Sequence, residues 1–387
     1  MSVTVDLPRP DGTWETRTLA EPGTWTAPTG PQRTRIAFGA AHVVADPLGD
    51  NTPGAPAVVD WDSTLAFRRH LFTHGLGVAE AMDTAQRGMG LDWATTQELI
   101  RRSAAEAASA GARIASGAGT DHLPADVADI DAVLAGYEEQ LAFVESTGSQ
   151  AIIMASRQLA RVARSAEDYR KVYDRLLAQA ERPVILHWLG TAFDPALAGY
   201  WGTEDVPTAT DTFLDLIRDN AAKVDGVKVS LLSADHEKGL RAALPEGVRL
   251  YTGDDFNYPE LIKGDGTHHS DALLGIFAAI APAASAALQA LDAGDDAAYE
   301  AAFAPTLPLA RHVFGAPTYY DKTGIAFLAW LSGFQPGFTM VGGLQSARSI
   351  PHLVETFRLA DDARLLPDPD LAAERLTGLL AVAGLRR

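Results

Sequence analysis

The chain has no cysteine in its 387 residues. That excludes disulfide frameworks, thiolate zinc sites, iron–sulfur clusters and a cysteine nucleophile. Positive charge is scarce: 32 Lys and Arg stand against 50 Asp and Glu, a formal net charge of −18. With a pI near 4.9, no nucleic-acid partner is expected, because gripping phosphate backbones needs the opposite balance. No apolar run reaches the ~18–20 residues of a membrane span, so no membrane partner is expected either. Met1 to Gly12 lacks a basic segment followed by an apolar one, so no secretory leader is expected. What is present is apolar residues at 47%, charged residues at 21% and a mean hydropathy of −0.02. Such a chain buries a large core. The expectation is a cytoplasmic protein of enzyme size.

Residues 1–33 read as a small β appendage and linker. Val3–Leu7 and Trp14–Leu19 alternate around Asp11-Gly12, which is a hairpin signal, and the appendage is expected to cap the floor of the main domain. From Arg35 onward short apolar runs recur: Ile36–Val44, Gly77–Met82, Arg113–Ser116, Ala151–Ala155, Val184–Leu189, Val227–Leu232, Arg249–Thr252 and Ala272–Ala278. Runs of this kind suit parallel strands covered on both faces. Helical stretches separate most of them, opened by Thr95-x-x-Glu98, Ser165-x-x-Asp168 and Ser233. Eight strands alternating with helices over residues 34–282 predict an α/β fold, a (β/α)8 TIM barrel. A doubly wound sheet is the competing topology, but no Gly-x-Gly-x-x-Gly turn is present to hold a dinucleotide. Residues 283–387 read as a helical C-terminal extension, with helices at Ala283–Leu291, Ala297–Phe314, Thr323–Leu331, Pro351–Ala360 and Leu371–Val382.

In a TIM barrel the reacting groups come from the C-terminal ends of the strands and the loops after them. The runs therefore offer His42 and Asp46, Asp83, Thr84 and Gln86, and Asp121 and His122. They continue with Ser156 and Arg157, His187, Lys228 and Ser230, and Asp254 and Asp255, while His268 and His269 stand just ahead of the last run. Lys228 is the most distinctive. Alternation puts Val227 and Val229 on one face and Lys228 and Ser230 on the other. With the valines toward the helices, the ammonium points into the barrel, where burial lowers its pKa. A neutral amine at a strand end suits Schiff-base chemistry. Spacing alone leaves open a structural lysine paired with a barrel carboxylate such as Asp255.

Three segments carry a resemblance. Pro183-Val184-Ile185-Leu186-His187, Gly226-Val227-Lys228 and Leu250-Tyr251-Thr252-Gly253-Asp254-Asp255, at these separations, resemble the dihydrodipicolinate synthase / N-acetylneuraminate lyase family of class I barrels. That family has a Pro-Val-Ile-Leu-Tyr-Asn strand, a Gly-Ile-Lys strand whose lysine forms the Schiff base, and a Ser-Gly-Asp-Asp strand. Gly264-Asp265-Gly266, Ala279-x-Ala281-Pro282 and the stretch from Pro317 to Leu331 look like later family motifs. The likeness spans about residues 35–335 and is strongest from 183 to 282. It implies a covalent mechanism on Lys228 without a cofactor, a small-molecule substrate and a homo-oligomer.

The departures from the family mark a divergent branch. His187 stands where the family has its proton-relay tyrosine, and an imidazole can serve as general acid and base there. Ala155-Ser156-Arg157 replaces the paired tyrosines after the fourth strand, and the arginine after the fifth strand is missing. The family's Gly-Thr-Thr-Gly-Glu loop, which holds the carboxylate of a 2-oxo acid, reads Met82-Asp83-Thr84-Ala85-Gln86. Asp255 matches a carboxylate that contacts sugar hydroxyls in the lyase branch, although Asp254-Asp255 could equally cap a helix at Phe256–Lys263. The resemblance thus implies a lyase, aldolase or dehydratase acting on a small hydroxylated keto compound, a keto-sugar or 2-oxo acid. Lys228 and His187 would be catalytic, and His42, Asp83, Thr84, Gln86, Ser156, Arg157, Gly253 and Asp255 would contact substrate. One alternative is a divalent-metal aldolase or isomerase using His42, His187, His268 and His269 with Asp83 or Asp255. Another is a barrel that binds a metabolite without chemistry.

Overall fold

Short apolar runs become strands where neighbours can cover both faces, and here they close on themselves. In the computed structural model, which describes residues 3–387, eight parallel strands form a closed barrel in which the last strand pairs with both the one before it and the first. Two further strands, β1 (Thr4–Pro8) and β2 (Trp14–Thr18), precede it as an antiparallel hairpin. The barrel strands are β3 (Ala37–Ala40), β4 (Gly77–Glu80), β5 (Ile114–Ala118) and β6 (Gln150–Ile153). They continue with β7 (Val184–Leu189), β8 (Val224–Ser230), β9 (Arg249–Thr252) and β10 (Asp271–Leu274). The chain is a TIM barrel with a separate hairpin and a helical C-terminal region. Met1 and Ser2, at the head of the expected appendage, lie outside the described residues.

Alternation divides each strand between two environments. Phe38, Ala79, Ala115, Ile152, Ile185, Tyr251 and Leu273 pack together inside the barrel. Leu186, Trp188, Val227, Val229 and Leu250 pack on the other face, in one cluster with helix residues such as Leu214 and Leu240. This partition sends His187, Lys228 and Ser230 inward.

The hairpin packs on the helices Ile350–Asp362 and Pro369–Val382. Arg17 there pairs with Asp361 at 2.6 Å, and Arg358 reaches Glu15 at 3.1 Å. Several local expectations need correction. Thr95-x-x-Glu98 is not the cap of its helix; Asp92 is, accepting from Thr95 N at 2.8 Å, and Glu98 pairs with Arg101 and Arg102 instead. The first run shortens to β3, with residues 41–44 leaving the sheet. Ala297–Phe314 splits into Asp296–Phe303 and Thr306–Val313, because Pro305 lacks the N–H a continuous helix needs. The helix expected at Thr323 begins at Asp321. Among the described residues no helix is long and apolar enough to cross a membrane.

Candidate active site

Lys228 sits one residue pair from the end of β8, in register with His187 on β7. It is buried, and among the described residues no hydrogen bond or ion pair holds its Nζ. Burial holds the amine below the ordinary lysine range, against the pull of Asp83, Asp255 and Asp321. Gly253 makes room for it: a Cβ there would stand 2.2 Å from Ser230 Oγ and 2.9 Å from Lys228 Cε. The close approach of backbone to the lysine stem therefore needs glycine.

The lysine borders a hollow of about 10 Å³ lined also by Thr84, Ser230, Gly253 and the three carboxylates. That volume is about one water-sized sphere. Asp83, Leu189 and Phe193 border both this hollow and a cavity of about 590 Å³. His187 lines the larger cavity, with Nε2 3.3 Å from Ser230 Oγ. Burial, reinforced by the neighbouring Lys228, pushes its imidazole well below its usual value, so the ring is neutral at physiological pH. The aspartate pair divides its work. Asp254 accepts from Phe256 N at 2.9 Å and Asn257 N at 3.1 Å, turning the chain toward the helix Tyr258–Lys263. Asp255 turns to the hollow, where Ile276 N donates to its Oδ1 at 2.9 Å. Burial raises the Asp255 carboxyl well above its usual range, opposed by the Ile276 N–H and by Lys228.

The other expected contacts separate. Ser156 and Arg157 line the larger cavity. Ser156 caps its helix, accepting from Leu159 N at 2.9 Å, and Arg157 forms an ion pair with Asp194. Arg87 and Asp121 also line it, but the Arg87 side chain donates to Asp121, Gln140 and Gly117 O. His42 and Gln86 are not brought to either space. His42 is buried with Nε2 2.7 Å from Gln335 Oε1, and burial lowers its pKa to about 4. Gln86 donates its amide to Val341 O. Both are taken up by chain from the C-terminal region.

The histidines of the metal alternative do not converge either. His268 and His269 border a separate space with Arg241, Arg249 and Asp271, at the ends where β9 and β10 begin, opposite Lys228. Among the described residues no group of three His, Asp or Glu side chains is arranged to hold a metal ion. The residue set expected for a metal thus does not fit one.

Two residues at the site were not anticipated. Asp321 and Lys322 open the helix Asp321–Leu331, both fully buried, with Lys322 Nζ 3.1 Å from Asp321 Oδ1. Beyond the likeness of Pro317–Leu331 to a family motif, the sequence signal is an Asp-Lys pair opening an apolar helix, which reads as an ordinary helix start.

The profile of the family described as Protein of unknown function (DUF993) matches residues 5–385, and the chain belongs to that family. No curated protein matches it. Among solved structures it is similar to the 4-hydroxy-tetrahydrodipicolinate synthase from Methylacidiphilum fumariolicum SolV, at 15% identity and a TM-score of 0.65, covering 89% of this chain and 99% of that one. It is also similar to the chloride-inhibited dihydrodipicolinate synthase from Acinetobacter baumannii complexed with pyruvate, at 15% identity and a TM-score of 0.64, covering 86% and 100%. The dihydrodipicolinate synthase from Aquifex aeolicus aligns at 11% identity and a TM-score of 0.60, covering 91% and 98%. At these identities the likeness is one of fold.

Proposed function

We propose that this member of the DUF993 family is a class I, Schiff-base-forming lyase or aldolase acting on a small hydroxylated keto compound. In this reading Lys228 is the amine and His187 the proton relay. The carrying observation is Lys228 itself: a lysine inside the barrel, buried without an ion pair, on a small hollow whose walls Asp83, Leu189 and Phe193 it shares with a cavity large enough for a small molecule. A structural lysine would be paired, because leaving an ammonium buried and unpaired is costly. The fold shared with dihydrodipicolinate synthases supports the same broad reading.

The chemistry follows from the side chains present. The neutral amine adds to a keto carbon and, with one proton taken up, water leaves, giving an iminium that accepts the electron pair of an adjacent C–C bond as it breaks, or of an adjacent C–H bond so that the enamine formed expels a β-hydroxyl. The uncharged imidazole of His187, one strand away, can take the proton of a substrate hydroxyl and return it. Asp83, Thr84 and Asp255 would hold the rest of the substrate. Carboxylates accept hydrogen bonds from sugar hydroxyls, whereas two like charges at ~4 Å repel by about 1 kcal/mol in water and severalfold more in a site of lower dielectric. The nearby cations Arg87 and Arg157 are already paired with Asp121 and Asp194. Neutral polyhydroxy ketones or aldehydes should therefore bind better than pyruvate.

The test is reductive trapping with a panel of keto-sugars and keto acids. Borohydride should inactivate the enzyme in the presence of its substrate and leave a stable adduct on Lys228. Asp83→Asn should weaken hydroxyketone binding about tenfold, the scale of a charge-assisted hydrogen bond. An active enzyme that trapping leaves untouched, or an active Lys228→Ala variant, contradicts the reading. Micromolar saturation by pyruvate without binding of neutral sugars contradicts the substrate class. Activity lost to a chelator and restored by a divalent ion would favour metal chemistry.

A further inference from the structure

Asp321 is an anomaly of hydrogen bonding. Among the described residues it is a carboxylate whose two oxygens are both buried with no hydrogen-bond donor. Roughly nine in ten buried polar groups are paired, and an exception in a cleft calls for a reason. Its nearest cation does not supply one. Lys322 Nζ lies 3.1 Å from Oδ1 as an ion pair, while its hydrogen bond goes to Tyr319 O. Arg348, which also senses Asp321, commits its Nη2 to the carbonyls of Gly315 at 2.8 Å and Pro317 at 3.0 Å.

What Asp321 does face is the hollow of about 10 Å³ that it shares with Lys228. The other charged groups facing it are Asp83, from the loop after β4, and Asp255, from the loop after β9. Of the three carboxylates, Asp255 has one oxygen taken by Ile276 N–H, and Asp83 is only half-buried at the border of the larger cavity. Asp321 is the one held entirely inside, with the Lys322 ammonium 3.1 Å from Oδ1 and neither oxygen accepting a hydrogen bond.

Resting on the Schiff-base reading, we propose that Asp321 is a third catalytic side chain, exchanging a proton with Lys228 across their shared hollow. The Lys228 ammonium gives a proton to the Asp321 carboxylate, leaving an amine and a carboxylic acid. The amine lone pair forms the C–N bond to the keto carbon while the carbonyl electrons move to oxygen. That oxygen takes the proton that the nitrogen sheds, giving a neutral carbinolamine. The Asp321 carboxylic acid then protonates the carbinolamine hydroxyl, the C–O bond breaks, water leaves and the nitrogen lone pair closes the C=N bond. An iminium and a carboxylate remain, the same pair of charges as at the start. Burial favours the exchange from both sides, pushing Asp321 up to about 6 and Lys228 down. The wide gap that separates a carboxylate from an ammonium in water is thereby narrowed.

The test is the rate at which cyanoborohydride and dihydroxyacetone add mass to the Lys228 peptide. In Asp321→Asn that rate should fall about 100-fold at neutral pH, the scale of general acid–base catalysis. Half-saturation by dihydroxyacetone should barely move, and the deficit should narrow as rising pH strips the amine. Asp321→Gly should recover trapping when formate is supplied, which a structural role would not allow. An Asn variant that traps at the wild-type rate, or a Gly variant indifferent to formate, overturns the role of Asp321 while the wild-type adduct keeps the Schiff-base reading intact. A wild type that forms no adduct with any ketone overturns both. Should neither variant fold, the wild-type pH profile decides. Trapping that holds down to about pH 6 and falls below it supports the exchange. Trapping that falls about tenfold per pH unit from the alkaline side overturns it.

Discussion

Arg68 and Glu80 are buried as deeply as Lys228 and Asp321, yet the two groups are wired on opposite principles. Arg68 meets Glu80 through two bonds, Nε–Oε2 at 2.9 Å and Nη2–Oε1 at 2.8 Å, and its remaining amine donates to the carbonyls of His42 and Thr64. Glu80 also accepts from Ala81 N at 2.9 Å. Lys228 has no such partner, and Asp321 has an adjacent lysine that does not hydrogen-bond to it. Removing one member of a satisfied buried pair strands the other charge, so Arg68 and Glu80 hold the wall together. Groups left buried and unsatisfied instead have shifted proton affinities, and such groups concentrate where chemistry is done. In this barrel the satisfied pair ties the helix Trp61–Thr73 to the last residue of β4, and the unsatisfied groups meet where the helix Asp321–Leu331 arrives at the end of β8.

That contrast can be broken by measurement. The largest effect should come from Arg68→Met, which leaves Glu80 buried and alone; denaturant unfolding should show a loss of about 3–5 kcal/mol. A loss under about 1 kcal/mol would put this pair with ordinary surface ion pairs. Next comes Glu237, buried among Ser270 and Thr252 hydroxyls, whose pKa burial raises to about 8 from 4.5. Between those values the folded chain keeps a proton that the unfolded chain has released, so folding stability falls as pH rises through the window. Glu237→Gln removes this dependence. Relative to the wild type it should gain about 3–4 kcal/mol between about pH 5 and about pH 8. An unchanged difference would mean that Glu237 titrates normally.

Gly253→Ala should cost about 1–3 kcal/mol by overpacking, and it should also displace the Lys228 stem and abolish reductive trapping. Stability lost with trapping intact would detach Gly253 from the lysine. The smallest stability change belongs to Lys228→Met. It relieves an unpaired buried charge, so thermal or denaturant unfolding should show no loss or a gain of about 1 kcal/mol while the adduct disappears. A loss as large as that of Arg68→Met would make Lys228 a structural residue.

How much of this was legible in the sequence depends on whether partners were near or far along the chain. The eight strands were legible because a strand covered on both faces carries its own signature, and the inward turn of Lys228 because Val227 and Val229 alternate with it. The break at Pro305 also had a local sign, the missing N–H, within a run whose apolar periodicity concealed it. His42 and Gln86 stood at strand ends as potential substrate contacts, but Gln335 and Val341 take their hydrogen bonds, and both partners lie in the C-terminal region. Arg157 likewise looked available until Asp194 paired with it. Asp321 was hidden for the same reason: nothing near it in sequence shows that a helix start outside the strands meets the Lys228 strand end. Spacing reveals which face a residue presents, and not which distant segment arrives to meet it.

The most direct measurement is a crystal of the protein soaked with dihydroxyacetone and reduced in place. Lys228 as the Schiff-base amine predicts continuous density from its Nζ to the ketone carbon, with the substrate hydroxyls directed at Asp83 and Asp255. A ketone seated in the cavity beside a lysine that stays unmodified, or a covalent adduct on any other side chain, would contradict it.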